Sequence, residues 1–449
     1  MEVLGLIQTK QSHLLKRACF GPKLEWLSNG FWGQHDIESL QEEIWDSLPA
    51  YKPLADATPL QFLFPEDRPE EERLHKQDAW GAFLANWVNQ MVELDNPLRE
   101  IAALFWHHHI PSASGHKFAH GQLLLEIYRE HGLGYLRPLL VKMAANPAIM
   151  YFLDGHHSHK DNPNENFPRE LLELFTLGEG QYTEQDVYEA ARAFTGRRFD
   201  HQNYPYAMYV DEEAFDNQPK TFLGRTGNFR GEDIIDILLH EPATARHIAK
   251  AILQFFGASQ PLQQHIAECG QFYFDSGFHT GQLLRYIFSR DWFYQPPYTE
   301  GKVKTPVELL VNLQRTTGMR TVGLKTTDSF LRACGQSLFA PPNVAGWPVG
   351  DDWLKGNKLL YRLFLPKTLL KIANRKDPKT SLTYKAKSRL QHPELRTYRY
   401  IADATFDEEK FIELLSANQL SISQWLGVNS SEASATLADC LTQPDYQYA

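Results

Sequence analysis

The sequence predicts an all-α fold, a large multi-helix globular body carrying a small β-hairpin or irregular flap. Apolar residues recur at helical spacing through most of the chain, and Pro, Gly, Asn and Asp cut that pattern into segments of about ten to twenty residues. Several segment starts also carry capping chemistry. With 449 residues, 43% of them hydrophobic and 12% aromatic, the chain has enough apolar surface for one large core or two fused ones.

Residues 1–60 read as an N-terminal helical segment and 61–375 as the main helical domain. Within the latter, helices are expected over 71–93, 97–109, 117–130, 168–177, 184–195, 232–239, 242–256, 282–289, 306–314 and 328–335. Thr183 should cap the helix at 184, with Asp186 closing a capping box and Tyr182 and Val187 placed as a hydrophobic staple. Thr305-Pro306-Val307-Glu308 reads the same way, with Pro306 where a missing N–H costs nothing. Asn96-Pro97 opens the helix that ends in histidines, and Asn166 is expected to cap the one that follows Pro168.

Residues 197–224 break the helical pattern with Tyr, Phe and Pro-containing turns, so a hairpin or flap over the body is expected. Pro341-Pro342-Asn343-Val344-Ala345-Gly346-Trp347-Pro348 is too rich in proline for a helix and too apolar for a floppy linker. Residues 376–449 read as a small C-terminal helical appendage packed on the body.

A net charge of −10 and a pI near 6.0 argue against a nucleic-acid partner, which needs a basic face. The basic run from Lys367 to Lys376 reads as a solvated helix face. No stretch approaches the roughly 20 apolar residues of a spanning helix. The first residues lack a cationic start, an apolar stretch and a cleavage site in series, so a cytoplasmic protein is expected. Cys19, Cys269, Cys334 and Cys440 are scattered without CxxC spacing, which suits a reducing compartment and removes thiolate zinc and dithiol redox motifs.

Half of the chain's 18 histidines fall between His107 and His159, beginning with Trp106-His107-His108-His109. Histidine is the commonest metal ligand and titrates near neutrality, so this density points to a site. On a regular helix the apolar stripe Leu98, Ile101, Ala102 and Phe105 continues at His109, which should face inward, while His107 faces the other side. Pro111 can distort the last turn, and only with that distortion do His107 and His109 converge. Without it they read as one core histidine beside two surface neighbours.

The second constellation runs from Asn164 to Phe175. On a helical wheel Glu170 falls between Leu174 and Leu177, inside the apolar arc, where a carboxylate needs a cation, a metal or a donor. Glu173, three residues on, could share its ligand. Glu165, Arg169 and Glu173 are also spaced as a charge ladder on a wet face. Serine-hydrolase elbows, Walker loops, dinucleotide fingerprints and HExxH are all absent from the sequence.

These motifs resemble the bacterial domain of unknown function 1800 family. The resemblance rests on His13-Leu14-Leu15-Lys16-Arg17, Phe105-Trp106-His107-His108-His109, Asn164-Glu165-Asn166 through Arg169-Glu170-Leu171-Leu172-Glu173, and Ala191-Arg192-Ala193-Phe194-Thr195-Gly196. It continues in Lys220-Thr221-Phe222-Leu223-Gly224, Lys304-Thr305-Pro306-Val307-Glu308 and Pro342-Asn343-Val344-Ala345-Gly346-Trp347-Pro348. It implies a mainly helical fold and a frequent gene neighbour that resembles sulfatases, with some members exported, and it supplies no settled activity. Three positions depart from the family pattern: His108 stands where Asn is usual, Phe215 where His is usual, and Arg197 where Trp is frequent.

Two functions follow as expectations. One is a metal-dependent hydrolytic or oxidative enzyme with His107, His109 and Glu170 as ligands to a divalent transition metal, and Arg169, Glu173 and Asn164 as catalytic candidates. The other is a non-catalytic binding or assembly partner of a sulfatase-like protein. There the polar network is structural, and Trp106, Trp347 and Trp353 line a groove beside the proline loop.

Overall fold

Side-chain caps fix where several helices of this computed structural model begin. The structure describes residues 2–24, 26, 35–54, 70–113, 118–200, 206–300, 302–318, 324–373, 441 and 444–448. Most of the C-terminal appendage and the side chains of the Lys367 to Lys376 run therefore lie outside the described residues. Helices α1 (Glu2–Cys19), α2 (Ile37–Asp46) and α3 (Glu70–Glu93) lead into α4 (Leu98–His109), α5 (Phe118–His131), α6 (Leu136–Ala144) and α7 (Pro147–Phe152). After α8 (Asn166–Glu170) and a π-helical turn (Leu171–Thr176) come α9 (Glu184–Ala193), α10 (Gly231–Leu238), α11 (Pro242–Phe256), α12 (Gln263–Asp275) and α13 (Thr280–Phe288). The series closes with α14 (Pro306–Thr317), α15 (Leu324–Ala333) and α16 (Asn357–Ala373).

The predicted capping boxes are both present. Thr183 Oγ1 accepts from Asp186 N–H while the Asp186 carboxylate accepts from Thr183 N–H, and Thr305 and Glu308 do the same for α14. At α4 the Asn96 side chain accepts from Leu98 N–H at 3.1 Å. The flap is two antiparallel pairs, β1 (Arg197–Phe199) with β2 (Met208–Val210) and β3 (Lys220–Phe222) with β4 (Arg225–Gly227). The proline loop is irregular, as expected.

Three expectations are corrected. Asn166 is the first residue of α8 and not its cap; Asn164 Oδ1 instead accepts from Asn166 N–H at 3.0 Å. The helix expected to run unbroken over 168–177 changes to π geometry at Leu171, where hydrogen bonds skip one residue further. That change voids the wheel, and Glu170 and Leu174 are both only half-buried. Helices α1, α2, α6, α7, α12 and α16 add to the individual segments expected.

Most buried apolar residues form one large cluster that includes Leu14 at its start and Tyr446 at its end, and Val303, Trp347 and Trp353 form a small second one. Helix α4 runs through it and is buried on every side, from Leu98 and Glu100 to Trp106 and His107. An apolar stripe cannot say which way a helix faces when all its faces are covered. His107, expected to point away from the core, is 1% exposed, whereas His109 is half-buried. The chain's last described turn sits on the same body: Lys304 Nζ donates to Tyr446 O at 2.7 Å and Arg362 Nε to Gln447 Oε1 at 3.0 Å. Among the described residues no helix is long and apolar enough to cross a membrane.

Candidate functional site

The C-terminal end of α4 and the proline loop meet, and a cleft of about 220 Å³ opens beside the junction. His108 and His109 supply one wall, His247, Lys250 and Phe255 of α11 a second. Lys302 and Thr305, ahead of α14, and Ala345 and Trp353 close the remainder. The junction is tight because Gly346 has φ +85 and a Cβ there would lie 2.7 Å from the His108 carbonyl oxygen. Only glycine meets both conditions without displacing the helix end.

The π-helical turn orients two of the imidazoles. Its last carbonyls lack partners within the turn, and His247 Nε2 lies 2.8 Å from Leu174 O while His109 Nε2 lies 3.2 Å from Phe175 O. A carbonyl only accepts, so both rings carry their proton on Nε2 and keep a lone pair on Nδ1. Their centroids are 5.9 Å apart.

His107 takes the opposite tautomer. Its Nε2 accepts from Phe339 N–H at 3.2 Å, which leaves the proton on Nδ1, buried and without a partner. His108 Nδ1 and Trp347 Nε1 are also buried with no hydrogen-bond partner, and the Trp347 ring lies 4.8 Å from that of His107 and 6.1 Å from that of His108. Three orphaned polar atoms thus gather where two sequence motifs meet. Burial, reinforced by neighbouring rings, pushes His107 and His109 down to about 3. Burial likewise takes His108 to about 4, against an opposing pull from Glu308. His247 is lowered by burial too. These rings are neutral at physiological pH.

The acidic candidates lie elsewhere. Arg169 Nη2 bridges Glu165 at 3.0 Å and Glu184 at 2.7 Å, so its fork is occupied by carboxylates at the surface. Tyr182 Oη donates to the Glu173 carboxylate, and Asn164 holds the local turn with its N–H on Ser158 Oγ at 3.1 Å. The Glu170 carboxyl is raised above its ordinary range by partial burial and by the Glu173 charge. Among the described residues no group of three or more His, Cys, Asp or Glu could hold a metal ion. The expected set of His107, His109 and Glu170 is therefore not assembled: His107 turns to Phe339 and Trp347, His109 to the carbonyl of Phe175.

Trp106 and Trp347 also leave the expected groove: Trp106 is fully buried with Nε1 on Gly132 O at 2.8 Å, Trp347 is buried and does not line the cleft, and Trp353 does. Arg197 and Phe215, two of the departures from the family pattern, have structural partners. Arg197 binds Ala144 O and Glu232, each at 2.9 Å, and Phe215 lies under Lys220 and Arg230. The sequence does not single out His247, Lys250 and Lys302. His247 reaches the π turn across 73 positions, and the only local hint was Lys302-Val303-Lys304 set directly before a capping box.

Fold and cleft together define a mostly helical protein with small hairpin flaps and a histidine-lined pocket at a helix end. The chain belongs to the family described as Protein of unknown function (DUF1800), which matches residues 13–448, nearly its whole length. No curated protein and no solved structure matches it.

Proposed function

We propose that the protein binds a small polar molecule in the cleft, between the Trp106-His107-His108-His109 helix end and the Pro342 to Pro348 loop. One observation carries this reading: His108, whose buried Nδ1 has no partner, lines the cleft, and the equally unpartnered His107 Nδ1 and Trp347 Nε1 belong to rings adjoining it. Each buried polar atom left without a partner costs about 1–3 kcal/mol, so several in one place call for something that pairs with them. Neutral, tautomer-fixed imidazoles offer hydrogen bonds to such a molecule without competing for its protons. A metal-dependent enzyme finds less support, because the described residues supply no complete ligand set. A cytoplasmic setting belongs to the same proposal, supported by Cys19, Cys269 and Cys334, which are buried free thiols.

The test is a thermal-shift screen of small carboxylates, phosphates, polyols and amines against the full chain, repeated on Ala251→Phe, which fills the cleft from α11. At least one chemical class should raise the melting temperature of the parent and leave the variant unmoved. A screen without hits, or hits indifferent to Ala251→Phe, sinks the reading.

A second reading has its own observation. Leu360, Tyr361 and Phe364 on α16 are 53%, 51% and 61% exposed, an apolar row of the kind that marks protein contacts. We propose this row as the face toward the sulfatase-like partner that the family resemblance implies. Co-expression and pull-down with the neighbouring gene product tests it: capture by the parent and loss in Leu360→Ser/Phe364→Ser is expected, and equal capture by both rules the face out.

A further inference from the structure

On the reading that the cleft is the working site, we infer that its ligand is an oxyanion, a small molecule carrying a carboxylate or phosphate group at the end facing Lys302. No Asp or Glu lines the cleft, whereas Lys250 and Lys302 both do. Behind Lys302 the body holds Lys16, Arg17, Lys304 and Arg362, and their charges act on one another. The carboxylate among them is Glu308, which is already bonded to Lys302 and to Thr305 N–H. None of those four cations has an ion pair to a carboxylate among the described residues.

Burial and cationic neighbours hold Lys304 well below the ordinary lysine range, and even if it is counted as neutral the excess remains. Lys16, at about 8, and Arg17 and Arg362, at about 10, keep their charges at neutral pH. Arg17 Nε and Nη1 and Arg362 Nη1 are buried donors without acceptors. A chain of net charge −10 thus concentrates positive charge that no carboxylate among the described residues pairs with behind one wall of its cleft. Low-dielectric walls focus such a field into the opening, where it favours an anion and opposes a cation.

The exposed lysine gives the clean test, because Lys302 cannot be removed without stranding Glu308 in the interior. Calorimetric titration of the full, untagged chain at constant ionic strength compares inorganic phosphate, succinate, and 1,4-butanediol, the uncharged analogue of succinate. Phosphate or succinate should bind at least about ten-fold more tightly than the diol; Lys250→Glu should weaken that binding by about ten-fold or more, Lys250→Arg should preserve it and Ala251→Phe should abolish it. The two anions tell a phosphate from a carboxylate ligand. If the diol binds as well as the anions, and does so only while the cleft is open, the charge inference fails and the cleft stands. If no probe binds, or binding ignores Ala251→Phe, the cleft itself is the wrong site.

Discussion

Glu100 and Arg129 meet in the core as a two-pronged ion pair: Arg129 Nε and Nη2 donate to Glu100 Oε2 and Oε1 at 2.8 and 2.9 Å, with side chains 5% and 1% exposed. Trp87 Nε1 adds a third donor to the same carboxylate at 2.9 Å, and Arg129 also reaches Glu126. The pair ties α4 to α5 at the level where α4 passes between its neighbours. Arg129→Met strands the Glu100 charge and should cost about 3–5 kcal/mol, whereas the Arg129→Met/Glu100→Gln double variant should recover part of the loss. Urea denaturation of the three proteins measures it; a single variant as stable as the parent contradicts the role assigned to the pair.

The imidazole tautomers are directly observable. Nitrogen-15 NMR should show His109 and His247 with the proton on Nε2 and His107 with it on Nδ1, because the first two face carbonyls and the last faces an amide N–H. His107 and His109, held at about 3 by burial, should stay neutral at pH 6. A charged His107 at that pH would falsify the burial assigned to it.

Acid should unfold the protein through the same rings. His13 and His107 are 6% and 1% exposed, and burial, aided for His13 by Arg17 and Lys16, takes them from 6.5 to about 2 and about 3. Above pH 6.5 neither folded nor unfolded rings are charged and stability does not depend on them. As pH falls below that value the unfolded chain takes up protons that the folded chain refuses, so each ring removes about 1.4 kcal/mol per pH unit until the folded ring titrates as well. Melting temperature should therefore fall steadily between pH 6.5 and 4, and His107→Phe should flatten the slope. An unchanged slope in that variant is the contrary result.

Gly178 controls the setting of His247. It has φ +88, and a Cβ there would come within 2.7 Å of His247 Nδ1. Gly178→Ala should cost about 1–3 kcal/mol through backbone strain and shift the His247 ring signals, while leaving the Glu100–Arg129 region unaffected. A ring spectrum identical to that of the parent removes this contact from the cleft's architecture.

What could be read from sequence was local. Thr183 with Asp186, and Thr305 with Glu308, announce helix starts because cap and capped amide lie three residues apart. The π turn at Leu171 escaped because Leu-Leu-Glu-Leu-Phe has the same apolar rhythm in an α-helix. The wheel for α4 misplaced His107 because a helix sheathed on all sides carries no outward face to detect. The cleft itself was illegible: His109, His247 and Lys302 become neighbours only through the packing of α4, α11 and the strand-like approach to α14. The histidine run and the proline loop, both visible in the sequence, meet beside that cleft. The Glu170 set failed because its periodicity argument stood on the segment that changes pitch.

Tyr446 and Gln447 are gripped by Lys304 and Arg362, and Arg315 in the helix beyond Lys304 holds Gly21 at the end of α1. Stretches around positions 21 and 447, far apart in the sequence, are therefore both held at a patch built by α14 and the residues leading into it. Synthesis can bring the middle helices together in sequence, yet this patch stays open until position 447 is free to reach it. A nascent chain stalled before that point would expose unpaired lysine and arginine side chains, a natural handle for quality control.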